Sequence, residues 1–97
     1  MADEYQQQIE SGKKIIRELL TKLADELKEP AIATFQFIIT AKDFDEMRVS
    51  LQDPKTMKIV VKLADKDLAD CATTPETHWK ISRQVIEAVR AYCATAH

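Results

Sequence analysis

Glycine is nearly missing from this chain: Gly12 is the only one in 97 residues. A glycine-rich loop cradling phosphate is thereby excluded, because such loops need several residues without a Cβ. Cysteine is equally scarce. Cys71 and Cys93 are too few for a disulfide framework. With His78 they do not have zinc-site spacing, and Asp65-x-Asp67-x-x-Asp70 lacks the glycine and distal glutamate of a calcium loop. Neither metal nor cofactor is expected. Acids outnumber bases only by 16 to 14. With no basic arm or acidic tail, the molecule as a whole has no pull toward nucleic acid or anionic lipid. No apolar run approaches the roughly 18 residues that span a bilayer, and the polar opening Met1-Ala2-Asp3-Glu4-Tyr5 is unlike the core of a secretory signal. A cytoplasmic protein with free thiols and no membrane attachment is expected.

What is present is hydrophobic periodicity. The chain is one domain by length. From about Asp3 to Lys28, Tyr5, Ile9, Ile15, Ile16, Leu19, Leu20, Leu23 and Leu27 recur at helical spacing. Glu10, Lys14, Glu18, Lys22 and Glu26 form a ladder of alternating charge on the opposite side, the pattern of a solvated helix face. Gly12 lies inside the apolar arc, where it marks either a close backbone approach or a weak point. Glu29-Pro30 ends the helix.

Three strands follow by their period of two. Ile32–Ala41 puts Ala33, Phe35, Phe37 and Ile39 on one face. Glu46–Gln52 turns Met47, Val49 and Leu51 inward. Met57–Leu63 turns Met57, Ile59, Val61 and Leu63 inward. Asp53-Pro54-Lys55 is a turn, and short connections imply antiparallel pairing. Residues 64–72 read as a connection or a single helical turn. A last helix opens at Thr73–Glu76, a capping-box pair, with Pro75 in its first turn, and runs to about Ala94. The expected fold is α+β, a two-layer sandwich with a three-stranded antiparallel meander and two helices on one face, in the order α-β-β-β-α.

The candidate sites are mostly apolar. The first strand is an edge in a meander, yet Phe35-Gln36-Phe37-Ile38-Ile39 has no charge and no proline. Such edges invite strand addition unless covered. On the last helix, Trp79, Ile86 and Cys93 recur every seven residues, which suits either packing on the first helix or a seam with another subunit. The chain therefore reads as a small non-enzymatic interaction module. Its expected partner is a second copy, held by Phe35, Phe37 and Ile38 at the edge or by Trp79 and Ile86 on the helix. Two paired first strands would make a continuous six-stranded sheet.

Two other readings come from the polar residues. Arg48, Lys58 and Lys62 face outward from the sheet and Lys55 lies in the adjoining turn, a candidate surface for nucleic acid. Cys71 and His78 flank the start of the last helix, whose N-terminus could lower a thiol pKa for enzymatic or ligand-binding chemistry. On the helical wheel, however, His78 falls in the apolar arc, where a packed side chain is expected.

The element order is similar to that of double-stranded-RNA-binding domains, which open their last helix with clustered lysines; here Thr74-Pro75-Glu76-Thr77-His78-Trp79-Lys80 holds one lysine and one glutamate. It also resembles the YbaB nucleoid-associated family, whose dimers have a long first helix, a strand meander and a C-terminal helix. That family's glycine-rich approach to the strands has no counterpart in residues 31–64. The resemblance implies association with nucleic acid, and it identifies no binding residue in this chain.

Overall fold

Apolar residues three and four apart draw Ala2–Leu27 into one helix, α1. Ile9, Ile16, Leu20 and Leu23 are buried along a single stripe, and Glu10, Lys14, Glu18, Lys22 and Glu26 are exposed. The charges at the two ends of the ladder choose other partners than expected. Glu10 pairs with Lys13 at 3.4 Å, and Glu26 meets Arg90 of the last helix at 3.9 Å. These details come from a computed structural model that describes residues 2–42 and 47–96.

The helix stops before Pro30. The Glu29 amide donates to the Ala24 carbonyl at 3.0 Å and the Lys28 amide to the Asp25 carbonyl at 3.4 Å, the paired bonds of a Schellman motif. Lys28 sits at φ 55°, the left-handed region that favours glycine. Lys28→Gly is therefore expected to raise stability by about 0.5–1 kcal/mol, the relief of αL strain less the entropy cost of glycine. A lower urea midpoint for this variant would contradict that reading.

Pro30–Thr34 is a 3-10 helix, so the first strand does not begin at Ile32 as the alternation suggests. Proline presets the first φ of this turn. Ile32 and Phe35, spaced by three, both turn into the core while Ala33 between them is exposed. The sheet consists of β1 (Gln36–Lys42), β2 (Met47–Gln52) and β3 (Ile59–Ala64), antiparallel and in that spatial order. Phe37 stands opposite Leu51 and Ile39 opposite Val49; Leu51 is in turn opposite Val61 and Val49 opposite Leu63. A bulge interrupts β1 between Ile39 and Ala41. Glu46 and the Met47 side chain, assigned to the second strand from sequence, lie outside the described residues. Met57 is not an inward strand residue. It occupies the turn at φ 63° and is 65% exposed, and β3 begins two residues later.

Residues 64–72 contain more structure than a connection: Asp65–Cys71 is a two-turn helix, α2, with Leu68, Ala69 and Cys71 buried. Its Leu68 backbone presses on Gly12. A Cβ built at Gly12 would overlap the Leu68 carbonyl oxygen. The lone glycine thus marks a close approach, and α1 runs through it unbroken. The last helix, α3, spans Pro75–Ala96. Thr73 does not cap it, because its hydroxyl donates back to the Asp70 carbonyl at 3.4 Å. The first helical carbonyl is that of Thr74, which accepts from the His78 amide at 2.9 Å.

Ile81, Val85 and Val89 of α3 join the α1 stripe, Leu68 and the inward residues of β2 and β3 in one core. The chain is therefore α+β, a long helix, a three-stranded meander and two further helices. Among the described residues no helix is long and apolar enough to cross a membrane.

Candidate functional site

The two edges of the sheet differ. At β3, α3 lies alongside, and the Gln84 side-chain amide donates to the Lys62 carbonyl at 3.4 Å. At β1, all the strand pairing is with β2, and among the described residues no strand lies on its other side. In an antiparallel pair every second residue turns its N–H and C=O away from the partner strand, so β1 presents such groups along a stretch, Gln36–Ala41, that carries no charge.

The side chains of β1 are placed by this register. Ile39 shares the helix-bearing face with its partner Val49, yet Val49 is buried and Ile39 is 63% exposed. Phe37, on the same face, is half-buried, with the Arg17 guanidinium 5.4 Å and the Lys13 ammonium 5.8 Å from its ring centroid. Cations over an aromatic face are attracted to it, but they cover it without closing it from solvent. On the opposite face Ile38 is half-buried beside Ser50, which is buried. Phe35 precedes β1 and is buried edge-on against Tyr92, with ring centroids 5.8 Å apart, so it belongs to the core. Of the sequence candidates at the edge, Phe37 and Ile38 are accessible, and the exposed Ile39 joins them.

Trp79 and Ile86 lie on the side of α3 nearer α1. Trp79 is 65% exposed with the Arg83 guanidinium 5.3 Å from its ring centroid, and Ile86 is half-buried against the core. A cleft of about 220 Å³ between the helices is lined by Ile15, Glu18, Leu19, Lys22, His78 and Ser82. His78 is exposed at this cleft, contrary to the packed position given by the helical wheel. The wheel assigns direction but not depth, and nearly the whole of 72–80 projects beyond the core.

Cys71 is buried, and burial pushes its thiol above the ordinary value. No hydrogen bond joins it to His78 among the described residues. A thiol whose pKa is raised by burial, with no base hydrogen-bonded to it, is a poor nucleophile. The four cations Arg48, Lys55, Lys58 and Lys62 are exposed. Arg48 is opposite Ala64 and Lys62 opposite Ser50, while Lys55 and Lys58 sit at the far turn. No aromatic side chain interleaves them among the described residues, so the surface offers charge without a stacking platform. No group of described residues could hold a metal ion.

One polar cluster had no local signal in the sequence. The Tyr92 hydroxyl donates to the Asp53 carboxylate at 2.6 Å and lies 2.7 Å from the Thr56 hydroxyl. Asp53 also accepts from the Lys55 amide at 2.9 Å, an Asx turn. These bonds fasten the β2–β3 turn to the end of α3. The Tyr92 hydrogen bond, helped by the Lys55 amide, holds the Asp53 carboxyl below the ordinary range despite burial. Every polar atom of the cluster has a partner within the fold, which gives it a structural role.

No protein-family model, no curated protein and no solved structure matches this chain.

Proposed function

We propose that this chain is a non-enzymatic protein-interaction module whose contact element is the free edge of β1. One observation carries the reading. α3 packs beside β3, where its Gln84 side chain bonds the Lys62 carbonyl, whereas among the described residues β1 pairs only with β2, its stretch Gln36–Ala41 carries no charge, and Ile39 within that stretch is 63% exposed. Exposed edges are ordinarily blunted by lysine, proline or a cover; Gln36–Ala41 holds neither lysine nor proline, the lysine of β1 comes only at its end, Lys42, and among the described residues no further strand lies alongside. Strand addition supplies main-chain hydrogen bonds for affinity and side-chain pairing for register.

Ile38→Lys tests the reading without disturbing the core. Ile38 is half-buried on the outer face, so the substitution is expected to cost about 1 kcal/mol or less. It places a charge at the centre of the edge. The native chain is expected to exceed the 11.1 kDa of a monomer in sedimentation equilibrium, and Ile38→Lys to return it to that mass with an unchanged circular dichroism spectrum. A folded variant whose mass matches that of the native chain would remove the main support for the edge.

A further inference from the structure

We infer that the strand added to β1 is β1 of a second copy, paired antiparallel about a two-fold axis through Ile38. This inference rests on the edge reading and names its partner and register. A two-fold axis perpendicular to the sheet keeps the helix-bearing faces of both copies on the same side. Centring it on Ile38 sets Phe37 opposite Ile39 of the second copy, and Ile39 opposite its Phe37. These are the two helix-face residues of β1 that its own helices leave half-buried and exposed. Aromatic against β-branched is a favourable cross-strand pair, and here it occurs twice by symmetry. Centring on Ile39 would instead set Phe37 opposite Ala41, across the bulge that follows Ile39. The Ile38 register keeps the central pairs within the regular part of the strand.

The paired segments themselves bring no like charges face to face, because Gln36–Ala41 contains no ionisable residue; the Lys13 and Arg17 cations that stand over each Phe37 are the charges nearest the seam. The resulting sheet has six strands, and its outer edges are the two β3 strands, each with α3 alongside and the Gln84 side chain on the Lys62 carbonyl. A handful of paired residues on each side makes an interface smaller than the roughly 1,200–2,000 Å² of stable complexes. The dimer is therefore expected to dissociate on dilution.

Disulfide trapping reads the register. In a Cys93→Ser background, with Cys71 left buried, Ile38→Cys is expected to oxidise to a covalent dimer at least tenfold faster than Ile39→Cys. An equal mixture of Phe37→Cys and Ile39→Cys chains should form the mixed dimer ahead of either homodimer. Faster trapping at Ile39 in a chain that still dimerises would overturn this register and leave the edge reading standing. A native chain that remains 11.1 kDa at every concentration, with no trapping at any of the three positions, would overturn both.

Discussion

Gly12→Ala is expected to cost about 3 kcal/mol or more of folding stability, and Gly12→Val to prevent folding. In an isolated helix alanine would instead be favoured over glycine by about 1 kcal/mol. The packing reverses that sign. The new Cβ would overlap the Leu68 carbonyl oxygen and lie 2.7 Å from its carbonyl carbon and 3.1 Å from its Cα. These are backbone atoms of α2 and cannot rotate aside. Relief requires α1 and α2 to separate, and that withdraws Leu68, Ala69 and Cys71 from a core that they share with Ile9 and Ile16. Overpacking ordinarily costs about 1–3 kcal/mol, and a clash with fixed backbone belongs at or beyond the upper end. Urea unfolding followed by circular dichroism checks this. Ser11→Ala, on the exposed neighbouring residue, serves as control and should stay within about 0.5 kcal/mol of native. If Gly12→Ala proves as stable as the native chain, the close approach of α1 and α2 is wrong.

Tyr92→Phe is expected to cost about 2 kcal/mol, the range for a lost hydrogen bond to a charged group. The ring and its edge-on contact with Phe35 remain, but the buried Asp53 carboxylate loses its 2.6 Å donor. The loss also has a pH signature. Because the Asp53 pKa is lowered in the fold, chiefly by the Tyr92 hydrogen bond, this stabilisation is complete above the unfolded value of about 4 and is lost as pH falls through the lower folded value. Tyr92→Phe should therefore flatten the acid limb of the stability curve. At the alkaline end the sign reverses. Tyr5, raised to about 12 by burial and its hydrogen bond to Asp65, contributes stability that is present below about pH 10 and lost as pH rises through about 12. A Tyr92→Phe protein with native stability at pH 7 and an unchanged acid limb would show that the cluster does not fasten the turn.

Much of the fold could be read directly from residue patterns. The α1 stripe, the alternation around Val49–Leu51 and Val61–Leu63, and the Asp53-Pro54 turn all appear where local spacing places them. The failures have local causes. Ile32 and Phe35 also fit an extended strand, but their spacing of three is that of the 3-10 turn fixed by Pro30. Asp65–Cys71 is too short for helical periodicity to stand out, and the backbone it packs against, at Gly12, lies more than fifty residues away in the chain. Met57 continues an apolar alternation that the turn geometry breaks.

The candidate site was legible in a different way. The absence of charge from Phe35 to Ile39 could be seen in the sequence. It could not show that Phe35 turns into the core, that Ile39 is exposed, or that α3 lies beside the other edge. The Tyr92–Asp53 bond joins residues 39 apart and leaves no periodic trace.

Amide hydrogen exchange in β1 at several protein concentrations tests the open edge most directly. Exchange at alternate amides between Gln36 and Ile39 should be fast in dilute solution and slow progressively as concentration rises, while the β2 amides stay protected throughout. If the β1 amides are equally protected at every concentration, the chain covers its own edge; if they are equally fast at every concentration, nothing pairs with it. Either result would contradict self-pairing through β1.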